Sequence, residues 1–231
     1  MAIDLAKPLN LPAEFVARLS EIKSDCDNQD SFEELIDMPQ VLQLARDIND
    51  YCMREEIIGI HYTRAIYSDI HDNGLLIRSG AEIRSGFLTA HKSKFTKVEI
   101  AILTTTWRDY FCEMQSSGRD GRIFFNFTEA ALQGSCAAKL IGLYGGEQVA
   151  MPFEFDDSIG TKLAQIGEPL LIRCALDPSK VTTFIEHPWG RILISAYHAS
   201  INSNVFAADL DAYQAVPVLP EEIIEIRRLK N

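Results

Sequence analysis

Apolar residues recur every three or four positions over residues 12–24, where Phe15, Leu19 and Ile22 align, and again over 40–54, where Val41, Leu44, Ile48, Tyr51 and Cys52 align. That spacing stacks them on one face of a helix, with Pro8, Pro12 and Pro39 as punctuation. After about residue 56 the texture changes to short runs rich in β-branched and aromatic residues: IIGIHY, RIFFNF, PLLIRCAL, RILISAY and EIIEIRR. Each reads as a strand. The order predicts an α+β fold, with an acidic helical N-terminal element over 1–56 and an α+β domain over 57–231. A chain of 231 residues is long enough to bury a sizeable core.

Residues 59–76, GIHYTRAIYSDIHDNGLL, combine several local signals. Thr63 predicts the N-cap of a helix over about 64–73, Tyr62 and Tyr67 stand at the positions of a hydrophobic staple, and Asn73-Gly74 supplies a left-handed stop. Leu75 then folds back onto Ile70. His61 becomes the last strand residue before the turn, where side chains line clefts. Over 78–97 Arg78, Arg84, His91, Lys92, Lys94 and Lys97 face Glu82 alone, which reads either as a solvated loop or as an electrostatic guide for a phosphate-bearing ligand. Residues 121–147 predict a buried strand from Ile123 to Phe127, an N-cap at Thr128, and a helix with Leu132, Cys136, Leu140 and Tyr144 on one stripe. Gly145-Gly146 ends that helix and aims Glu147, toward a cleft or onto the surface.

Composition narrows the classes. Hydrophobic residues make up 47% and charged residues 24%, ordinary globular values. The net charge of −11 argues against a polyanionic partner, but residues 1–56 hold 13 acidic and 5 basic side chains and the remainder 20 and 17. The five cysteines are scattered without metal-ligand spacing and read as small core hydrophobes, so no metal is expected. The apolar runs fall short of a membrane span and the first residues lack a basic-then-apolar leader, which predicts a cytoplasmic protein. No phosphate-binding glycine loop, nucleophile elbow or H-E-x-x-H pattern occurs.

The order of the motifs resembles the ADP-ribosyltransferase superfamily. HYTRAIYSDIHDNGLL is similar to its first motif, a strand ending in His-x-Thr followed by a helix and a GL turn. GRIFFNFTEAAL is similar to its second, and DarT-type DNA-directed toxins have a comparable aromatic strand. VPVLPEEIIEI, 216–226, resembles the proline-led last strand, and HYTR…FFNF…YGGE also resembles a group of bacterial proteins with a Y/W-G-G-E signature. The resemblance implies a split β-sheet that clamps NAD⁺ and transfers ADP-ribose with loss of nicotinamide.

On that resemblance, His61 hydrogen-bonds the nicotinamide ribose or carboxamide, with Tyr62 and Thr63 beside it. Arg64 and the basic stretch from Arg78 take the pyrophosphate. Phe125 and Asn126 flank the nicotinamide, and Tyr67 or Tyr144 supplies stacking area, although core packing explains these aromatics equally simply. The expected late acidic residue is where the sequence departs from the pattern: Asp209 and Asp211 stand near the place of the usual Glu, with Glu147 and Glu186 as competitors. Glu147 is preferred for its Gly-Gly setting and Asp209 follows for its place in the order. The implied role is a toxin or phage-defence effector acting on a macromolecule, DNA or RNA included, with an antitoxin or inhibitory partner. The competing expectation is a non-catalytic binding protein that keeps the fold and docks a partner through its acidic N-terminus.

Overall fold

A computed structural model describes all residues except Gly134, Asp157 and Asn231, and the side chains of all but these, Ser135 and Cys136. The elements are α1 (Ala13–Glu21), α2 (Lys23–Asn28), α3 (Phe32–Ile36), α4 (Pro39–Cys52), β1 (Ile57–Ala65), α5 (Tyr67–Asn73), α6 (Gly80–His91), α7 (Lys97–Tyr110) and α8 (Glu113–Ser117). They continue with β2 (Ile123–Phe125), α9 (Ser135–Gly142), α10 (Gly146–Ala150), α11 (Ile159–Ala164), β3 (Glu168–Leu176), β4 (Val181–Thr182), α12 (Pro188–Ile201), β5 (Ala212–Gln214) and β6 (Ile223–Arg228). The protein is α+β, and its strands form two small sheets of order β1-β3-β6 and β2-β5-β4.

Two compact units share the chain. The first comprises Met1–Ile60, Phe124–Gln133 and Arg173–Gln214, the second His61–Ile123, Gly134–Ile172 and Ala215–Asn231. This differs from a division at residue 56. The N-terminal helices do not stand apart, because α4 packs lengthwise on α12, the helix that is buried along most of its length. Gly190 of α12 lies so close to the Ala45 backbone of α4 that any side chain there would collide with it. Asn49 accepts a hydrogen bond from the Trp189 backbone at 3.2 Å, and His198 Nε2 bonds the Gln29 carbonyl at 2.8 Å. Charge is divided as well: the first unit holds 18 acidic and 8 basic side chains, the second 15 and 14.

In the second unit Phe87, Phe95, Leu103, Trp107, Val149 and Phe153 form the core, and the Trp107 indole donates to the Val149 carbonyl at 2.9 Å. Within it, residues 78–97 are not a loop. Ser79 and Glu82 bond each other's backbone N–H groups in a capping box that starts α6, and Thr96 and Glu99 do the same for α7. RILISAY is likewise no strand but the centre of α12. The centre of α12, Ile192 to Ser195, is buried on consecutive positions, so it has no period to separate it from a buried strand, and Pro188 in its first turn is the local signal for a helix.

The helices of α1 and α4, with Pro39 opening α4, and the strands β1, β3 and β6 lie where the patterns predict them. The junction after β1 does not. β1 runs on through Thr63 to Ala65, and α5 starts at Tyr67 from Ile66, with no side-chain cap and no staple. Strand pairing overrides the local cap. Ala65 ends β1 against Gly167, which adopts φ +63° just before β3 and has no room for a Cβ (2.5 Å from the Ala65 carbonyl). Gly59 at the other end of β1 lies against Leu176 at the end of β3, so the two strands run in opposite directions. Gly74 does stop α5, at φ +71° with its N–H on the Ile70 carbonyl. Leu75 then exchanges two 2.9 Å backbone bonds with Val218 of the proline-led terminal segment.

Candidate functional site

The sequence-predicted residues fall in both units. His61, Tyr62, Thr63, Arg64, Tyr67, Arg78, Tyr144 and Glu147 belong to the second, and Phe125, Asn126, Asp209 and Glu186 to the first.

In the second unit the period-two alternation of β1 decides the roles. Tyr62 and Arg64 are buried, whereas His61, Thr63 and Ala65 share the half-open face. The Arg64 guanidinium is spent on structure: Nε donates to the Ile166 carbonyl at 3.0 Å and a terminal nitrogen to the Ile141 carbonyl at 3.3 Å. Burial lowers its pKa from the ordinary arginine value. This corrects the expectation that Arg64 takes a pyrophosphate, and Tyr62, 3% exposed, presents no surface to a ligand either.

The backbone of Arg64 has a second use. Its carbonyl accepts the Gly145 N–H at 3.1 Å, which fastens the Y-G-G-E turn to the H-Y-T-R strand. Gly145 and Gly146 take φ +80° and +54°, so the turn needs both glycines, and α10 begins at once with Glu147 in its first turn. The Glu147 carboxylate is half exposed and accepts from Arg119 Nε at 2.7 Å. Arg119 is itself held by Gln115, one helical turn earlier. Gln148 is buried and fixed on both sides, donating to Asp120 at 3.1 Å and accepting from Arg84 at 3.0 Å. Asp120 also receives the Gly80 N–H at 2.9 Å. The sequence offered little warning of this support. Arg84 stood out only as a charge in a basic stretch, and Arg119 and Asp120 belong to a short polar run before β2.

Tyr144 stacks edge-on against His91 at 4.9 Å and lies 5.7 Å from Phe87. Burial raises its phenol pKa, as does Asp69, while Arg78 opposes them. Burial lowers the His91 pKa with help from Lys94 and against Asp69, and its Nε2 is buried without a hydrogen-bond partner. Tyr67 carries the Arg228 guanidinium 4.2 Å over its ring. Arg78 is exposed.

In the first unit the structure gathers Asn126 with Asp209 and Asp211, some eighty residues later. Asn126 donates to Asp211 at 2.9 Å. Both Asp209 oxygens are occupied, Oδ1 by the N–H groups of Phe127 and Leu210 (2.9 and 2.8 Å) and Oδ2 by the Thr128 N–H and hydroxyl (3.1 and 2.9 Å). Burial nevertheless raises the Asp209 pKa, outweighing those bonds. The carboxylate clasps the segment after β2. Thr128 takes part in the clasp and caps only a 3-10 turn, Glu129–Gln133, its hydroxyl accepting from the Ala130 N–H at 3.2 Å. The helix comes later, as α9, and Tyr144 lies beyond its end; the predicted stripe position at Cys136 falls outside the described side chains. Phe125 is a core residue, 2% exposed, which corrects its expected place beside a ligand. Glu186 is exposed.

Among the described residues no group of three or more His, Cys, Asp or Glu side chains is arranged to hold a metal ion, and no helix is long and apolar enough to cross a membrane. Compared with protein-family models, curated proteins and solved structures, the chain matches none.

Proposed function

We propose that this chain is an ADP-ribosyltransferase that cleaves NAD⁺ and moves ADP-ribose onto a macromolecular acceptor, with DNA and RNA the first acceptors to test. The observation that carries the reading is the Gly145–Arg64 hydrogen bond, which brings together in one unit HYTR, the stretch similar to the superfamily's first motif, and the YGGE turn that holds the preferred acid, Glu147. His61 and Thr63, side by side on the half-open face of β1, engage the nicotinamide ribose, an imidazole and a hydroxyl being matched to its hydroxyl groups. Tyr67 and Tyr144 supply ring surface, and the exposed Arg78 takes the pyrophosphate.

Glu147 is the acid of choice. It lies on the exposed side of its turn, and its partner Arg119 is only partly buried; surface pairs contribute only about 0–1 kcal/mol, so a pair on the rim of the fold leaves the carboxylate open to redirection. Asp209 has no oxygen to spare. In the reaction the bond between the ribose C1′ and the nicotinamide nitrogen breaks, nicotinamide leaves, and Glu147 stabilises the cationic sugar through the ribose 2′-hydroxyl. An acceptor oxygen or nitrogen then bonds C1′ and loses its proton to Glu147 or to solvent.

Incubation with NAD⁺ and single-stranded DNA, RNA or protein acceptors tests this: nicotinamide is released and one acceptor gains ADP-ribose. His61→Ala and Glu147→Gln each abolish both signals. Activity surviving in both variants overturns the site.

The Arg119–Glu147 pair is also what a non-catalytic relative that has retired its carboxylate would show. That second reading expects no nicotinamide release and no thermal shift with NAD⁺, whereas a ligand at a hundredfold excess over Kd stabilises by about 2.7 kcal/mol.

A further inference from the structure

The solvent side of a small sheet is ordinarily polar. In the first unit it is aromatic. Thr182 of β4 pairs with Tyr213 of β5 in antiparallel register, and Phe184 just beyond β4 packs 6.2 Å from the Tyr213 ring. Phe124 of β2 lies 5.6 Å from the same ring on its other side. The row is open: Phe184 is 72% exposed, Ile185 48% and Phe124 38%. The alternate residues Phe125, Ala212 and Gln214 are buried, so one face of the sheet belongs to the core and the other carries the aromatic row. A contiguous apolar patch of this kind marks an interaction surface.

We propose that this row docks a cationic, arginine-bearing segment of a partner protein. Charge selects the occupant. The unit carries 18 carboxylates against 8 cationic side chains, and the exposed carboxylates of Glu186 and Asp211 stand two residues from Phe184 and Tyr213 along the chain. Arginine suits both features, because its planar guanidinium stacks on aromatic faces while its edge pairs with a carboxylate. The second unit already makes that contact internally, with Arg84 and Arg228 each 4.2 Å over Phe111 and Tyr67. A polyanionic nucleic acid would meet repulsion on this unit. The inference is independent of the NAD⁺ reading, whose residues His61 and Glu147 lie in the other unit.

Fluorescence anisotropy of the full chain with a labelled oligo-arginine peptide tests it, beside an oligo-lysine peptide of equal length and an oligo-thymidylate. The arginine peptide binds most tightly, and Phe184→Ala weakens it about threefold or more. Phe155→Ala, at a still more exposed phenylalanine of the second unit, leaves it unchanged. Three results overturn the proposal: no binding of the arginine peptide, equal affinities for arginine and lysine that ignore Phe184→Ala, or preferred binding of the oligonucleotide. Self-association in light scattering that Phe184→Ala removes also overturns it, in favour of a second copy of the chain. Glu147→Gln leaves the peptide affinity unchanged whatever it does to NAD⁺.

Discussion

Gly145 donates its N–H to the Arg64 carbonyl at φ +80°, and a Cβ on it would stand 2.6 Å from Val149. Gly146, at φ +54°, has nothing within 4 Å of the same position. Both substitutions to alanine force a left-handed backbone on an L-residue, at about 1–2 kcal/mol, but only Gly145→Ala adds a collision with the core, at about 1–3 kcal/mol more. Urea denaturation should rank Gly145→Ala well below Gly146→Ala in stability. Equal losses would mean that the turn relaxes away from Val149.

Arg64 is expected to matter for stability and not for binding. Arg64→Ala leaves the Ile166 and Ile141 carbonyls without their charged donor and costs about 2–3 kcal/mol. The lowered midpoint should appear in denaturant, while the NAD⁺ affinity that the proposed function requires, measured well below the melting temperature, stays the same. A tenfold loss of affinity in a still folded variant would restore Arg64 to the site.

The half-buried His91 couples stability to pH. Its folded pKa lies below the ordinary 6.5 because burial and Lys94 disfavour the charged ring more than Asp69 favours it. Between the two values the unfolded chain binds more protons, so the stability that neutral His91 contributes is complete above pH 6.5 and is lost as pH falls toward the folded pKa. Melting temperature should fall in that window, and His91→Phe, which keeps a ring against Tyr144 and Phe87, should flatten it. An unchanged slope would assign the window to other groups.

Glu99 acts at more acid pH. Lys162 and the Thr96 backbone N–H hold its pKa down to about 2 against an ordinary 4.5. The stability it contributes is present above 4.5 and is lost as pH falls toward 2. Glu99→Gln should therefore narrow the stability difference between pH 5 and pH 3 relative to the parent; an identical acid limb would refute the assignment.

The thiols divide by burial. Cys52 is pushed up to about 12 by burial and Cys26 to about 11 by burial and Asp25, while Cys112 is exposed. Iodoacetamide at mild alkaline pH should label Cys112 in the native protein, and Cys26, Cys52 and the buried Cys174 only after denaturation. Rapid native labelling at Cys52 would contradict its burial at the end of α4.

The amphipathic faces of α1 and α4 and the Asn73-Gly74 stop were legible because their signals lie within one turn of the residues they govern. A turn at Gly145-Gly146 was legible too, since adjacent glycines favour one, but it opens α10, and the helix it was expected to end, α9, stops earlier at Gly142. The capping boxes that make α6 and α7 are equally local, Ser79 with Glu82 and Thr96 with Glu99, and lie within a stretch whose clustered positive charge resembles that of a solvated loop.

The remaining outcomes lay beyond any local signal. Thr63 had the chemistry of a cap but became strand, because β3, a hundred residues later, offers β1 a partner and Gly167 admits the Ala65 backbone. RILISAY has the composition of a strand but forms the centre of α12, which packs along α4 where Gly190 admits the Ala45 backbone. Asp209 and Glu147 are alike as acids in the sequence, but the fold gives one four hydrogen-bond donors and the other the partly buried Arg119. By itself the sequence determined the α+β class and the positions of the glycine turns, since these follow from periodicity and backbone freedom. Tertiary structure alone decided where β1 ends, how the chain divides into units and which carboxylate is still available, since each depends on partners that meet only when distant segments pack.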